Sequence, residues 1–369
     1  MEKNEIIKAY GTDYKELTTR LLARADLEGA IRAKCGPSKD VRIGIKPNLV
    51  SPTPASFGAT THPEVAEGII AYLQEHGFTQ IVIMEGSWVG DKTTQAFEYC
   101  GYRDISRRMG VPLIDSQQES ASEQDCAGLP IRICDCAFSV DFLINVPVLK
   151  GHAQTKITCA LKNMKGLIPN SEKRAFHTQG LHRPIAHLNT AIRQDFIVID
   201  HICGDLDFED GGHPVVKNCV MAAMDPVLVD AYVCHLLGYE KEDVPYIVMA
   251  EELGVGSGDL SAAHILTVEG VNDEDMPKTR RLLDISYNVD EVESCSACYG
   301  MLMEALEKLE EEGLLSGLTE KVCIGQGWRG KAGRLGVGTC TKDFEISVPG
   351  CPPSAEEIYQ KLKKQVIEK

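Results

Sequence analysis

No run of eighteen apolar residues occurs in this 369-residue chain, so no segment reads as a membrane-crossing helix. The opening MEKNEIIKAYGTDY has no apolar core of the kind a secretory leader carries, and the expectation is a soluble, cytoplasmic protein with no membrane partner. The chain has no GxSxG elbow and no P-loop, which leaves serine hydrolase and P-loop ATPase chemistries without support. It also shows no internal repeat and no low-complexity tail. Positive charge is scarce: 38 Lys and Arg face 54 Asp and Glu, a formal net charge of −16. That balance repels nucleic acid and anionic membranes, and it makes any locally basic window informative.

What the chain does have is cysteine, 14 residues of it. Without an export signal they point to a reducing compartment and to metal binding rather than to a disulfide framework. Five fall between Cys295 and Cys351: a CxxC pair (Cys295, Cys298), a lone Cys323, then Cys340 in GVGTC and Cys351 in VPGCPP. A structural zinc site usually takes two short pairs, and only one is short here. A cubane iron–sulfur cluster is larger, tolerates distant ligands and often has a Cys-Pro step at its last ligand. Cys298 opens a helix-like run, and Cys351 precedes another that carries a capping box, Ser354 with Glu357. Helix N-termini favour the negative charge of a four-thiolate cluster. The expected metal ligands are therefore Cys295, Cys298, Cys340 and Cys351, holding one 4Fe-4S cluster, with Cys323 packing as a small apolar residue at the end of a strand.

At this length two domains are expected. VRIGIK (41–46), QIVIME (80–85), VPLID (111–115), LPIRICD (129–135) and FLINVPVL (142–149) read as strands. Helices read over 61–76, where THPE is a capping box, and over 93–109. This βαβ rhythm predicts an α/β fold with a mainly parallel, mixed sheet flanked by helices. The polar stretch SQQESASEQDCAG (116–128) reads as a surface loop, and NDEDMPKTRR (272–281) as a charged linker. The expected division is a large α/β domain over 1–285 and a small Cys-rich α/β cluster-binding domain over 286–369.

From Lys150 to Arg183 the charge inverts: seven Lys or Arg stand against the single acid Glu172, with His152, His177 and His182 in the same window. The window follows a strand, and in open α/β sheets ligands sit beyond the carboxyl ends of strands. A helix over 156–165, capped by Thr155, would present Thr158, Lys162 and Lys165 on one face. The expected ligand is a small anion, a carboxylate or a phosphate, anchored by Lys150, Lys162 and Lys165, with His152 or His177 as proton donor. Acids and histidines in DHICGDLDFEDGGHP (Asp200, His201, Asp205, Asp207, Glu209, Asp210, His213) form a second, oxygen-rich candidate metal site, without the spacing of an EF-hand. Gly325, Gly327 and Gly330 satisfy GxGxxG, but WRGKAGRLGVGTC is too glycine-rich to continue as the helix a dinucleotide site needs.

KPNLV, LINVPVLKGHAQTKITCALKNMKGLIP, IVIDHICG and DPVLVDAYVCHLLG together resemble the domain of unknown function 362 family of bacteria and archaea, over about residues 40–270. The resemblance implies association with iron–sulfur clusters and no established reaction. The matching polar positions are Lys46, Asn48, Lys150, His152, Lys162, Asn163, Lys165, His177, Asp200, Asp225 and Asp230, which adds Lys46, Asn48 and Asn163 to the substrate-binding set. The chain departs from the family's pattern in its strongly acidic loop after Asp200 and in lacking closely spaced two-cluster ferredoxin cysteines. The combined expectation is an iron–sulfur redox protein acting on a small anion, with a ferredoxin-like electron donor as partner. The alternatives are a non-catalytic electron carrier or cluster-dependent regulatory module, and a non-redox protein with structural zinc.

Overall fold

The computed structural model describes residues 1–271, 275–276 and 285–367. It divides into two compact units, one of Met1–His152, Ile157–Lys173 and Arg183–Met276, the other of Ala153–Lys156, Arg174–His182 and Pro277–Lys369. The division falls inside NDEDMPKTRR, of which only Asp275 and Met276 are among the described residues, so the linker expectation lies largely outside them. Two short pieces of the basic window, 153–156 and 174–182, belong to the second unit rather than to the first.

In chain order the strands before the division are β1 (Glu5–Tyr10), β2 (Ile43–Pro47), β3 (Ile81–Glu85), β4 (Leu113–Asp115), β5 (Ala121–Cys126), β6 (Leu129–Cys134), β7 (Phe142–Val146), β8 (Lys150–His152), β9 (Lys156–Thr158), β10 (Phe196–Asp205), β11 (Pro214–Ala223) and β12 (His264–Glu269). The helices are α1 (Tyr14–Arg24), α2 (Leu27–Cys35), α3 (Pro63–Glu75), α4 (Thr93–Tyr99), α5 (Tyr102–Met109), α6 (Ala160–Asn163), α7 (Asn170–Gln179), α8 (His182–Ala191), α9 (Pro226–Leu236) and α10 (Pro245–Glu252). Among the described residues the main sheet runs β12-β1-β11-β10-β7-β2-β3-β4, with β11 antiparallel to both its neighbours and every other pair parallel. It is the mainly parallel, mixed sheet the pattern predicts. In β2, β3 and β7 all five positions are buried, which is why they read as continuous apolar runs. The chain steps outward from β2 through β3 to β4, then returns to the other side of β2 as β7 and continues to β10. The strand order thus reverses between β2 and β7, the place where open α/β sheets leave a crevice for a ligand.

Local departures from the sequence reading have physical causes. The 116–128 stretch is not all loop: β5 pairs antiparallel with β6 in a separate hairpin, and β5 is solvent-facing along most of its length and therefore polar. The helix over 93–109 breaks at Gly101, whose φ of +81° ends one segment and starts the next. Thr61 does not cap α3; its hydroxyl donates to the Val146 carbonyl and accepts the Asn48 amide instead. Residues 156–158 form β9 rather than a helix, with Lys156 at a φ of +63° and the β-branched Ile157 and Thr158 behind it. Helix then begins at Ala160, where the buried Asp230 carboxylate accepts the Ala160 and Leu161 amides at 2.7 and 3.2 Å.

The second unit holds a four-stranded, all-parallel sheet in the order β13 (Val289–Glu291), β14 (Val322–Ile324), β15 (Leu335–Val337), β16 (Ile346–Val348). It is accompanied by α11 (Ser296–Glu311) and α12 (Ala355–Ile367). The capping box forms at the start of α12: Glu357 accepts the Ser354 amide at 3.0 Å, and Ser354 Oγ accepts the Glu357 amide at 3.3 Å. No helix follows GxGxxG; Gln326–Trp328 is one short turn. Among the described residues no helix is long and apolar enough to cross a membrane.

Candidate functional site

The carboxyl ends of the central strands carry buried polar residues, Lys46 on β2, Glu85 on β3 and Asn145 on β7. Lys46 Nζ donates to Glu85 at 2.8 Å and to the Pro47 carbonyl at 2.7 Å, and lies 3.4 Å from Asn163 Oδ1. Glu85 also accepts the Leu49 and Gly86 amides, at 2.8 and 2.6 Å. Gly166 is required here, because a Cβ would fall 2.1 Å from Glu85 Oε1 and 2.5 Å from Lys46 Nζ. Burial lowers the Lys46 pKa, with Glu85 opposing the shift.

Four further lysines surround this pair. Lys150 Nζ donates to the Ala59 carbonyl at 2.6 Å and the Glu209 carbonyl at 2.9 Å, with Asn48 Oδ1 at 3.4 Å. Lys173 Nζ donates to the Gly86 and Ser87 carbonyls, both at 2.8 Å. Lys46, Lys150 and Lys173 are therefore anchors that hold loops by their carbonyls. Lys162 Nζ instead donates to Thr158 Oγ1 at 3.1 Å and to the Glu209 carboxylate, and Glu209 takes His152 Nε2 at 3.1 Å on its other oxygen. Burial pushes Lys150 and Lys173 down to about 8. Burial and the neighbouring Lys162 push the half-buried Lys165 down to about 7. The same two causes take His152 to about 4, so at neutral pH it is an uncharged imidazole that donates from Nε2.

Thr158, Lys162 and Lys165 do share one neighbourhood, although β9, α6 and the 3-10 turn Met164–Leu167 after it present them rather than one helix. Asn163 ties α6 to β2 and β7, donating to the Lys46 carbonyl at 3.2 Å and to Asn145 Oδ1 at 2.7 Å. His177 belongs to the second unit, where its Nδ1 lies 2.8 Å from Ser296 Oγ. The acids after Asp200 do not gather as a metal site. Asp205 accepts the Asp207, Phe208 and His213 amides, Glu209 turns to Lys162 and His152, and Asp200 takes the His62 amide and Nδ1 at 2.6 and 2.8 Å. Sequence reasoning missed Glu85, Lys173 and the role of Glu209. The signal for Glu85 was a lone acid closing an apolar strand at the same level as Lys46.

In the second unit the four predicted thiols lie just past carboxyl ends of the small parallel sheet. Cys295 follows β13 and is the N-cap residue of α11, with Cys298 in its first turn. Cys340 sits in the turn after β15, and Cys351 follows β16. Each of the last three strands is followed by a glycine at positive φ: Gly325 (+119°), Gly338 (+89°) and Gly350 (+144°). This repeated strand–glycine turn brings the sulfurs to one edge, and a Cβ on Gly338 would stand 3.3 Å from Cys298 Sγ. Burial, then the neighbouring Cys351, Cys295 and Cys340, push the Cys298 thiol up to about 11. Burial, Cys340 and Cys351 raise Cys295, against Arg329. Arg329 Nε lies 3.4 Å from Cys340 Sγ. Cys323 is apart, mid-strand on β14 between Asp290 and Gly336. All fourteen cysteines are free thiols, and among the described residues no three His, Cys, Asp or Glu are close enough to hold one metal ion.

A family model described as a domain of unknown function (DUF362) matches residues 43–235, just over half the chain. The match runs from β2 through most of α9 and so contains the whole lysine site, but stops before the Cys295–Cys351 stretch. The thylakoid-associated protein sll1697 of Synechocystis sp. is 23% identical over 221 residues, covering 58% of this chain and 68% of that protein. Among solved structures, the lactate racemase apoprotein from Thermoanaerobacterium thermosaccharolyticum aligns at 13% identity with a TM-score of 0.33. That alignment covers 53% of this chain and 50% of the other, so the chain spans half the length of that protein.

Proposed function

The chain belongs to the DUF362 family, and from that premise and its own side chains we propose that it is an iron–sulfur redox protein acting on a small anion. The observation that carries the reading is the gathering of Cys295, Cys298, Cys340 and Cys351 at one edge of the small sheet, each within electrostatic reach of another. These thiolates would hold a 4Fe-4S cluster, which when bound supplies single-electron transfer. The amides opening α11 and the Arg329 guanidinium favour the negative charge of four thiolates. In the first unit Lys46, Lys150 and Lys173 fix the loops, Lys162 and Lys165 bind the anion, and His152 donates a hydrogen bond as a neutral ring. Lys165 is the group poised to exchange a proton near neutrality.

The test is anaerobic purification followed by iron and acid-labile sulfide analysis and a visible spectrum before and after dithionite. A brown protein with about four irons per chain that bleaches on reduction is expected. A colourless protein with about one zinc per chain sinks the redox reading. A protein that binds the cluster but no small anion, and instead associates with an acidic partner in a salt-dependent way, is an electron carrier.

The depressed lysines predict a pH signature. A bound anion favours the ammonium forms and restores their pKa values, so binding above about pH 7 takes up protons, and affinity falls as pH rises from about 7 to 9. Calorimetry in Tris and in HEPES, which differ in ionisation enthalpy, measures that uptake. Without the anion the sign reverses for stability. Between about pH 7 and the ordinary lysine value near 10.5 the unfolded chain binds more protons than the folded one, so these lysines make the fold more stable as pH rises through that window.

A further inference from the structure

The anion site of the first unit already holds a carboxylate, and it is the protein's own. Glu209 places one oxygen on Lys162 Nζ and the other 3.1 Å from His152 Nε2. That is a planar, two-oxygen arrangement on two donors, which matches one carboxylate group. Neither donor comes from the loop that carries Glu209: Lys162 is on α6 and His152 on β8.

The loop's main chain is anchored independently of that side chain. Lys150 Nζ holds the Glu209 carbonyl at 2.9 Å, the Gly212 amide donates to the Phe57 carbonyl at 2.9 Å, and Asp205 ties the loop's ends through three amides. The Glu209 side chain can therefore leave by rotation alone. It also has a way out, for it is 26% exposed while the Lys162 side chain beneath it is 3% exposed. Once it leaves, Lys162 loses its carboxylate partner beside Lys165 in a partly dry site, with Asp210 of the same loop still within electrostatic reach, an arrangement that favours a replacement anion.

Resting on the anion reading given above, we infer that Glu209 occupies the subsite for a carboxylate of the ligand, so that the ligand is a small carboxylic acid which displaces Glu209 from Lys162 and His152. Glu209 is then an internal competitor. Its presence reduces apparent affinity by the fraction of time the subsite is closed.

Isothermal titration of the full chain with malonate, and separately with inorganic phosphate, tests this in wild type, Glu209→Gln, Glu209→Ala and Lys162→Met. Both Glu209 variants should bind malonate about tenfold more tightly than wild type, with a smaller gain for phosphate. Glu209→Gln keeps the side chain's shape and carries the test if Glu209→Ala does not fold. Unchanged or weaker malonate binding in Glu209→Gln overturns the inference, as does an equal gain for phosphate. Lys162→Met should lose malonate binding. If it binds as wild type does, the anion reading of the lysine site fails instead, whatever Glu209 does.

Discussion

Cys340→Ala should bleach the protein, dropping its iron content from about four per chain to a small residue, because a cubane held by four thiolates loses one corner. Three features make Cys340 the informative choice. It lies in the turn after β15, far in sequence from the CxxC pair, so its loss tests whether distant strands really supply one site. Its sulfur faces Arg329 Nε at 3.4 Å, so the guanidinium cannot substitute as a ligand when the thiol is gone. A control is built into the same sheet: Cys323, on β14 beside Asp290 and Gly336, is held up to about 11 by burial and two neighbouring acids rather than by other thiols. Cys323→Ala should keep full colour and iron. Full iron in Cys340→Ala removes that residue from the ligand set, and equal loss in both variants would mean that the small sheet simply tolerates no change.

The parts of this protein that were legible from sequence are those written locally. The strands IGIKP, IVIME and FLINV announce themselves because burial on both faces leaves no room for polar alternation. The local backbone settings of three cysteines are legible too: a helix start for Cys298, a glycine two residues before Cys340 and one before Cys351. Partnerships across the chain were not legible. Glu209 reads as one acid among several in a loop, whereas its partner Lys162 lies 47 residues earlier, so charge counted along the sequence suggests a cation site and charge counted in space gives an ion pair. His177 falls in the same charge window as His152, yet the chain passes through residues of both compact units between them. The 156–165 helix failed for a similar reason. Asp230, 70 residues on, accepts the Ala160 amide and sets where the helix starts, overriding the local signal from Thr155.

Glu85→Ala should be among the most destabilising single substitutions in the first unit, costing about 3–5 kcal/mol. Lys46 is fully buried and Glu85 nearly so, and the carboxylate answers three donors at once: the Lys46 ammonium and the Leu49 and Gly86 amides. Deleting it strands a buried cation and two amides that water does not reach. Lys46→Met should cost less, on the order of 2 kcal/mol, because the carboxylate keeps both amides and the lysine's other acceptors are neutral oxygens. The pair is in direct contact, so the two losses should not add. Lys46→Met combined with Glu85→Ala should be more stable than the sum predicts by about 1–3 kcal/mol, since the second substitution removes the charge that the first leaves alone. Urea unfolding followed by far-ultraviolet circular dichroism reads all three variants against wild type. A Glu85→Ala protein within about 1 kcal/mol of wild type would show that water or a rearranged neighbour satisfies Lys46, and the anchoring role given to the Lys46–Glu85 pair would go with it.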